Sequence, residues 1–154
     1  MHRAAALVIA AAIFSAHGAW AVGSSWNKIR YMGGTIQAKV NPYDYNTTLT
    51  VSPDSIVLAF SPRPTVRIKP AQVTSISYGQ EAQRRVAAVV ALSTPGNPPA
   101  LFGLLRTKDH FLGIVYQTND GKSGAVLLEA HRNFYLDILE ALKIVTGKPI
   151  EISK

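Results

Sequence analysis

The chain contains no cysteine. A disulfide framework is therefore excluded, and so is a membrane anchor formed by a lipid on a cysteine that follows an export signal. Histidine is also scarce, because only His110 and His131 lie beyond residue 21. Since metal sites in proteins draw heavily on cysteine and histidine, the sequence predicts no metal centre, and we expect no bound cofactor.

The sequence also lacks an apolar run of the roughly 20 residues that a helix needs to cross a bilayer. Its first residues instead resemble an export signal, because the basic Arg3 precedes an apolar run over residues 4–14 and small residues follow. We expect cleavage after Ala21 and no transmembrane span in the mature chain. Residues 22–154 would then form a single domain in the periplasm or outside the cell, in solution or peripheral to a membrane.

Catalytic motifs are absent. No serine occupies a G-x-S-x-G elbow, and the Gly-Lys-Ser at 121–123 lacks the glycine that a phosphate loop requires five residues earlier. The carboxylates show no spacing typical of an acid and base pair. The sequence therefore favours a protein that is not an enzyme. The alternative is a small hydrolase or ligand-modifying enzyme whose site lies near Asp109 and His110.

Acidic residues are few, and the formal net charge of the chain is +7. Since Arg3 is the only charged residue of the predicted leader, the mature chain remains strongly basic, which favours an anionic partner. Export separates the chain from the genome, and no aromatic and basic run of the kind that binds single strands occurs, so nucleic acid is not expected. An envelope protein or an anionic lipid surface is the expected partner.

The best basic cluster lies beyond a proline-rich break near residue 62. Val66 and Ile68 alternate there with Arg67 and Lys69, which predicts a strand with one apolar and one cationic face. Together with Arg63, these cations are the candidate anion-binding residues.

Apolar residues at a period of two predict short antiparallel strands between residues 36 and 78. Residues 110–118 are apolar at most positions, which is typical of a strand that is covered on both faces. A turn follows, and residues 125–130 form the returning strand. Over residues 133–146 the spacing becomes helical, which predicts an amphipathic helix whose apolar stripe packs on the sheet.

Residues 79–109 separate the two groups of strands by far more than the usual connection of about 4 to 6 residues. Residues 80–93 are compatible with a helix, and a proline-rich break separates them from a second apolar patch. This insertion either packs on the sheet, or it touches a membrane or a partner, or it mediates self-association of an envelope component. The candidate contact residues are Arg84, Arg85, Leu101, Phe102, Leu104, Leu105, Arg106 and Lys108.

The strand pattern carries a family resemblance. The segments that carry it run over residues 49–58 and 66–78, with the closing helix from Asn133. They resemble the pleckstrin-homology-like barrel, particularly its small bacterial and GRAM-like versions. Together with short segments at 30–35, 78–82, 101–103 and 110–111, they also look like a family of uncharacterised secreted bacterial proteins.

The resemblance implies a mainly β fold with α: an antiparallel barrel of about seven strands capped by one C-terminal helix, here with a helical or hairpin insertion before the sixth strand. It also implies a binding scaffold, since such barrels commonly hold lipid headgroups, peptides or protein surfaces and are seldom catalytic. The chain departs from the lipid-binding pattern at residues 40–46, where no cation follows Lys39. Phosphoinositide recognition is therefore not predicted.

Overall fold

A computed structural model describes residues 23–93 and 109–153. This part of the chain contains eight strands, which are β1 (Ser24–Gly34), β2 (Thr47–Val51), β3 (Ile56–Phe60), β4 (Thr65–Ile68), β5 (Val73–Tyr78), β6 (His110–Gln117), β7 (Ser123–Ala130) and β8 (Ile150–Ile152). Its α-helices are α1 (Gln80–Ser93) and α2 (Tyr135–Thr146). The fold class predicted from the sequence, mainly β with a helical insertion and a helix near the C-terminal end, is confirmed.

All eight strands belong to one sheet in the order β4-β3-β2-β1-β7-β6-β5-β8. Neighbouring strands are antiparallel except β5 and β8, which are parallel. The long strand β1 changes partner along its length, because Ser24 to Ile29 pair with β2 and Ile29 to Gly34 pair with β7. Irregular register on both sides of Ile29 bends this strand, so one continuous sheet serves two walls of the fold.

The main core fills the inner side of this sheet. Helix α2 buries Ile138, Leu139 and Leu142 in it, as its helical period predicts. These side chains pack against residues such as Leu49 and Ile76 from distant strands. Because each large apolar side chain contributes roughly 1.5–3 kcal/mol when it is fully buried, α2 is held by the sheet rather than by its own helical propensity.

A second, smaller core lies on the outer side of β6 and β7. Helix α1 contributes Ala82, Val86 and Val90 to it. The strands contribute Phe111, Ala125 and Leu127. Residues 80–93 therefore form a helix that packs on the sheet, and the prediction that β6 is covered on both faces is confirmed.

Two strands were not predicted, and one predicted stretch is wrong. Residues 36–46 form an irregular connection rather than a strand, because the Asn46 side chain accepts from the Tyr31 backbone and donates to the Asn41 carbonyl. These bonds bring the chain back alongside β1. The unpredicted strands are β1, where the bulge interrupts the period of two, and β8, whose three residues carry no clear pattern.

Candidate functional site

Strand β4 forms one end of the sheet and pairs with β3. Its Ile68 points into the main core and is 1% exposed, whereas Arg67 and the following Lys69 are exposed. The predicted division of this strand into an apolar and a cationic face is therefore confirmed. Arg63 is exposed in the turn that precedes the strand. We call Arg63, Arg67 and Lys69 the β4 cation cluster; anion binding by it stays a prediction.

The β4 cation cluster differs from several other cations in having no carboxylate partner among the described residues. Elsewhere, ion pairs join Arg30 to Glu129 at 2.9 Å, Arg84 to Glu81 at 3.4 Å, Arg85 to Glu81 at 2.7 Å and to Glu151 at 2.6 Å, and Lys122 to Asp120 at 3.7 Å. The positive charge of the chain is thus compensated at these places, whereas three unpaired cations lie close together along β4; other exposed cations without a carboxylate partner in the described part, such as Lys39, Arg132 and Lys143, lie apart from them along the chain.

The row of residues that runs across the sheet from Arg67 carries hydroxyl groups on β2 and β1. Across the strands, Arg67 lies opposite Val57, Val57 opposite Thr50, and Thr50 opposite Ser25. The Thr50 and Ser25 hydroxyls are 3.0 Å apart. No acidic residue stands in this row, so none of its members offsets the charge of Arg67.

The insertion places its two described contact candidates on α1. Arg85 is engaged in the ion pairs with Glu81 and Glu151, while Arg84 has 73% of its side chain exposed. The other contact candidates, Leu101, Phe102, Leu104, Leu105, Arg106 and Lys108, lie outside the described residues. Contact of the insertion with a membrane or partner therefore stays a prediction. Within the described residues, neither helix has the length and hydropathy to cross a membrane.

His110, one of the two residues suggested for an enzyme site, belongs to an aromatic stack. Its ring lies on the ring of Tyr135 at 3.8 Å with an angle of 6°, and its Nδ1 is 2.8 Å from the Tyr78 hydroxyl. Burial raises the pKa of Tyr78, and the neighbouring Tyr135 raises it further. Among the described residues no carboxylate bonds to His110, so the arrangement joins β5, β6 and α2 and lacks the acid of a catalytic triad.

The other histidine, His131, also sits in an aromatic cluster. Its ring contacts Phe134 and the loop residue Tyr45, with ring centres 5.8 Å and 6.3 Å away. The Arg30 guanidinium lies 4.9 Å from the centre of the Tyr45 ring, a distance typical of a cation–π contact. These contacts hold the connection between β1 and β2 against the start of α2. The sequence did not indicate either aromatic cluster, because their members are far apart along the chain.

An open cleft of about 630 Å³ lies between the end of α1 and the turn that joins β6 to β7. Two of its hydroxyl groups already have partners. Thr35 donates to and accepts from the backbone of Ala125, and Thr118 bonds to Asp120. Within the described residues no cluster of three or more metal-ligating side chains occurs.

Comparison with known proteins found matches among solved structures. No protein-family model matches the chain, and no curated protein matches it. A solved structure described as "Structure of the Spt16D Pob3N heterodimer" matches with a TM-score of 0.51 and 10% sequence identity. The match covers 87% of this chain and 56% of the other, so this chain spans little more than half of that protein.

The fold is pleckstrin-homology-like. At this low identity the match establishes the fold and no function. In the pleckstrin-homology-like frame, β8 is an addition to the predicted strands, and α1 is the helical part of the insertion before the sixth strand. The resemblance to secreted bacterial proteins stays a prediction.

Proposed function

We propose that this chain is an exported, noncatalytic interaction module that binds an anionic partner at the cell envelope through the β4 cation cluster. The observation that carries the proposal is the contrast between Arg63, Arg67 and Lys69, which are exposed and lack carboxylate partners in the described part of the chain, and the arginines that are paired. Unpaired surface cations retain the electrostatic free energy that an anionic partner can use.

A noncatalytic role is supported by the surroundings of His110. Among the described residues no carboxylate bonds to His110. Its Nδ1 bonds to the Tyr78 hydroxyl and Tyr135 covers one ring face, so the ring packs in an aromatic stack and lacks the carboxylate of a catalytic triad. An interaction role is also supported by the fold match, since the matched structure is described as a heterodimer. The export part of the proposal is supported by the leader pattern over residues 1–21.

Charge reversal tests the proposed binding surface. The protein purified after export should bind anionic beads and vesicles that contain phosphatidylglycerol, and the triple variant Arg63→Glu, Arg67→Glu, Lys69→Glu should bind them at least about tenfold more weakly. A matched control replaces Lys39, Arg132 and Lys143, which are also exposed, by glutamate. Both variants change the net charge equally, so their difference reports position rather than total charge.

The control variant should bind about as well as the wild type. An equal loss in the two variants would mean that net charge alone attracts anions, and absence of wild-type binding to every anionic surface would remove the proposal.

Export is tested separately by cell fractionation and by determining the mature N-terminus, which we expect at Val22. Ile9→Lys should leave the precursor uncleaved inside the cell, because it interrupts the apolar run of the leader.

A further inference from the structure

We propose that the anionic partner is a polypeptide: an extended segment of alternating acidic and apolar residues adds as a new strand to the free edge of β4. This inference rests on the proposed function, because it uses Arg67 and Lys69 of the β4 cation cluster, and it adds the class of partner and the way in which that partner binds.

The backbone of β4 offers hydrogen-bonding groups on its free side. The Phe60 N–H donates to the Pro64 carbonyl at 2.9 Å, which fixes the alternation of bonded pairs in the β3–β4 hairpin. In this register Val66 and Ile68 exchange backbone bonds with β3. The N–H and C=O groups of Thr65 and Arg67 therefore point away from the sheet, where an incoming strand can pair with them.

The two faces of β4 specify the side chains of the incoming strand. Side chains of neighbouring strands that lie directly opposite one another share a face of the sheet. Acidic residues of the added strand would therefore lie beside Arg67 and Lys69 on the outer face. Apolar residues would lie on the inner face, where Ile68 is buried and Val66 is half-buried. Acidic and apolar residues thus alternate in the predicted partner.

The opposite end of the sheet supplies an example of the same chemistry. There the strand β8 has the sequence Ile150-Glu151-Ile152 and pairs with β5. The carboxylate of Glu151 meets Arg85 at 2.6 Å. One edge of this sheet is thus already extended by an apolar, acidic, apolar segment whose carboxylate lies beside an arginine of α1, and the β4 edge presents Arg67 with no further strand beside it among the described residues.

A lipid headgroup fits these observations less well. A phosphate would pair with the cations but would leave the outward N–H and C=O groups of Thr65 and Arg67 without ordered partners, whereas an added strand satisfies both sets of groups at once. Charged side chains on an edge strand also discourage aggregation. If this were their whole role, no peptide would bind there.

The test uses a short, end-blocked, fluorescently labelled peptide of alternating valine and glutamate, with binding followed by anisotropy. Two derivatives carry N-methyl groups on either all glutamate or all valine amides, which leaves their charges equal. Because alternate amides of a strand point to opposite sides, only one set faces β4. In an antiparallel addition, Arg67 and the glutamate directly opposite it exchange backbone hydrogen bonds, so the glutamate amides face β4. Methylation of the glutamate amides should therefore weaken binding roughly tenfold, and methylation of the valine amides should weaken it little.

A charge swap provides the control on the protein. The variant Arg67→Glu, Lys69→Glu should lose the glutamate peptide and bind a peptide of alternating valine and lysine. Equal binding of the two methylated peptides, or binding to phosphatidylglycerol vesicles without binding to the peptide, would overturn strand addition and leave the proposed function standing. Failure of every anionic probe would overturn both.

Discussion

The two ends of the sheet differ in how they are closed. At one end, β8 pairs with β5, and its Glu151 is tied to Arg85 of α1. At the other end, β4 pairs with β3, and its exposed cations have no carboxylate partner in the described part of the chain. A short strand with an acidic centre completes one edge, and the other edge keeps the charge that such a strand would neutralise.

This difference indicates where the molecule is self-sufficient and where it is open to a partner. The charges of the β8 end are compensated by neighbours within the chain, so an additional partner would have to displace them. The charges of the β4 end require no displacement. Since removing an existing ion pair costs free energy, the same kind of anionic segment is expected to bind at β4 and not at β8.

The largest expected loss of stability comes from a substitution that disrupts the packing of α1, the helix whose Arg85 contacts β8. Val86 is fully buried in the outer core, so Val86→Asp should lower the free energy of unfolding by at least about 3 kcal/mol, because a charge would be buried without a partner. Urea denaturation measures the change. Leu92→Asp is the control on the same helix: Leu92 is 85% exposed, and its replacement should cost no more than about 0.5 kcal/mol. Equal losses would contradict the described packing of α1.

Alkaline pH should weaken the body of the sheet. Burial raises the pKa values of Tyr31, Tyr78 and Tyr116. Because each folded pKa exceeds the unfolded value of about 10, the stability gained by keeping the phenols neutral is complete below that pH and is lost as the pH rises above it. For a buried phenol, a tenfold weaker acidity in the folded state than in the unfolded state corresponds to about 1.4 kcal/mol of stability lost at high pH.

Unfolding free energies measured from pH 8 upward test this pH dependence. Tyr31→Phe should flatten the decline, whereas Tyr43→Phe, at a side chain that is 82% exposed, should not change it. A decline of the same steepness in Tyr31→Phe and the wild type would show that the buried phenol is not responsible.

A smaller effect is expected when the ion pair at the β8 end is opened. Glu151→Gln should lower the free energy of unfolding by less than about 1 kcal/mol, because the side chains of Arg85 and Glu151 are 43% and 34% exposed and water screens them. The pairing of β8 should loosen, which NMR contacts between Tyr78 and Ile152 would report. Lys122→Gln opens a more exposed pair elsewhere and should leave these contacts intact. Unchanged contacts in Glu151→Gln would show that the ion pair does not hold the edge.

The parts of the fold with a regular local period could be predicted from the sequence. The alternation of Val66 and Ile68 with Arg67 and Lys69 gave the correct orientation of β4, and the continuous apolar run from Phe111 to Tyr116 indicated a strand between two apolar layers. The apolar face of α2 could be predicted equally well from the helical spacing of its apolar residues. In each case neighbouring residues along the chain carry the whole pattern.

The parts that depend on distant residues could not be predicted in this way. Strand β8 exists because β5 offers it an edge and Arg85 meets Glu151, and neither feature leaves a pattern in its three residues. The stack of His110 joins residues from three elements, with Tyr78 lying 32 positions before it. For the candidate site, the cations were visible in the sequence, but only the fold shows that they have no carboxylate partner among the residues that the structure describes.

The two-sided covering of β6 and β7 has a consequence for local opening. Along these strands, Phe111, Ala125 and Leu127 face one apolar core, while Leu112 and Leu128 face the other. Their amide protons should therefore exchange with solvent most slowly, and those of β4, at the sheet's end, much faster. A strand bound to β4 should slow exchange there while leaving the centre of the sheet unaffected.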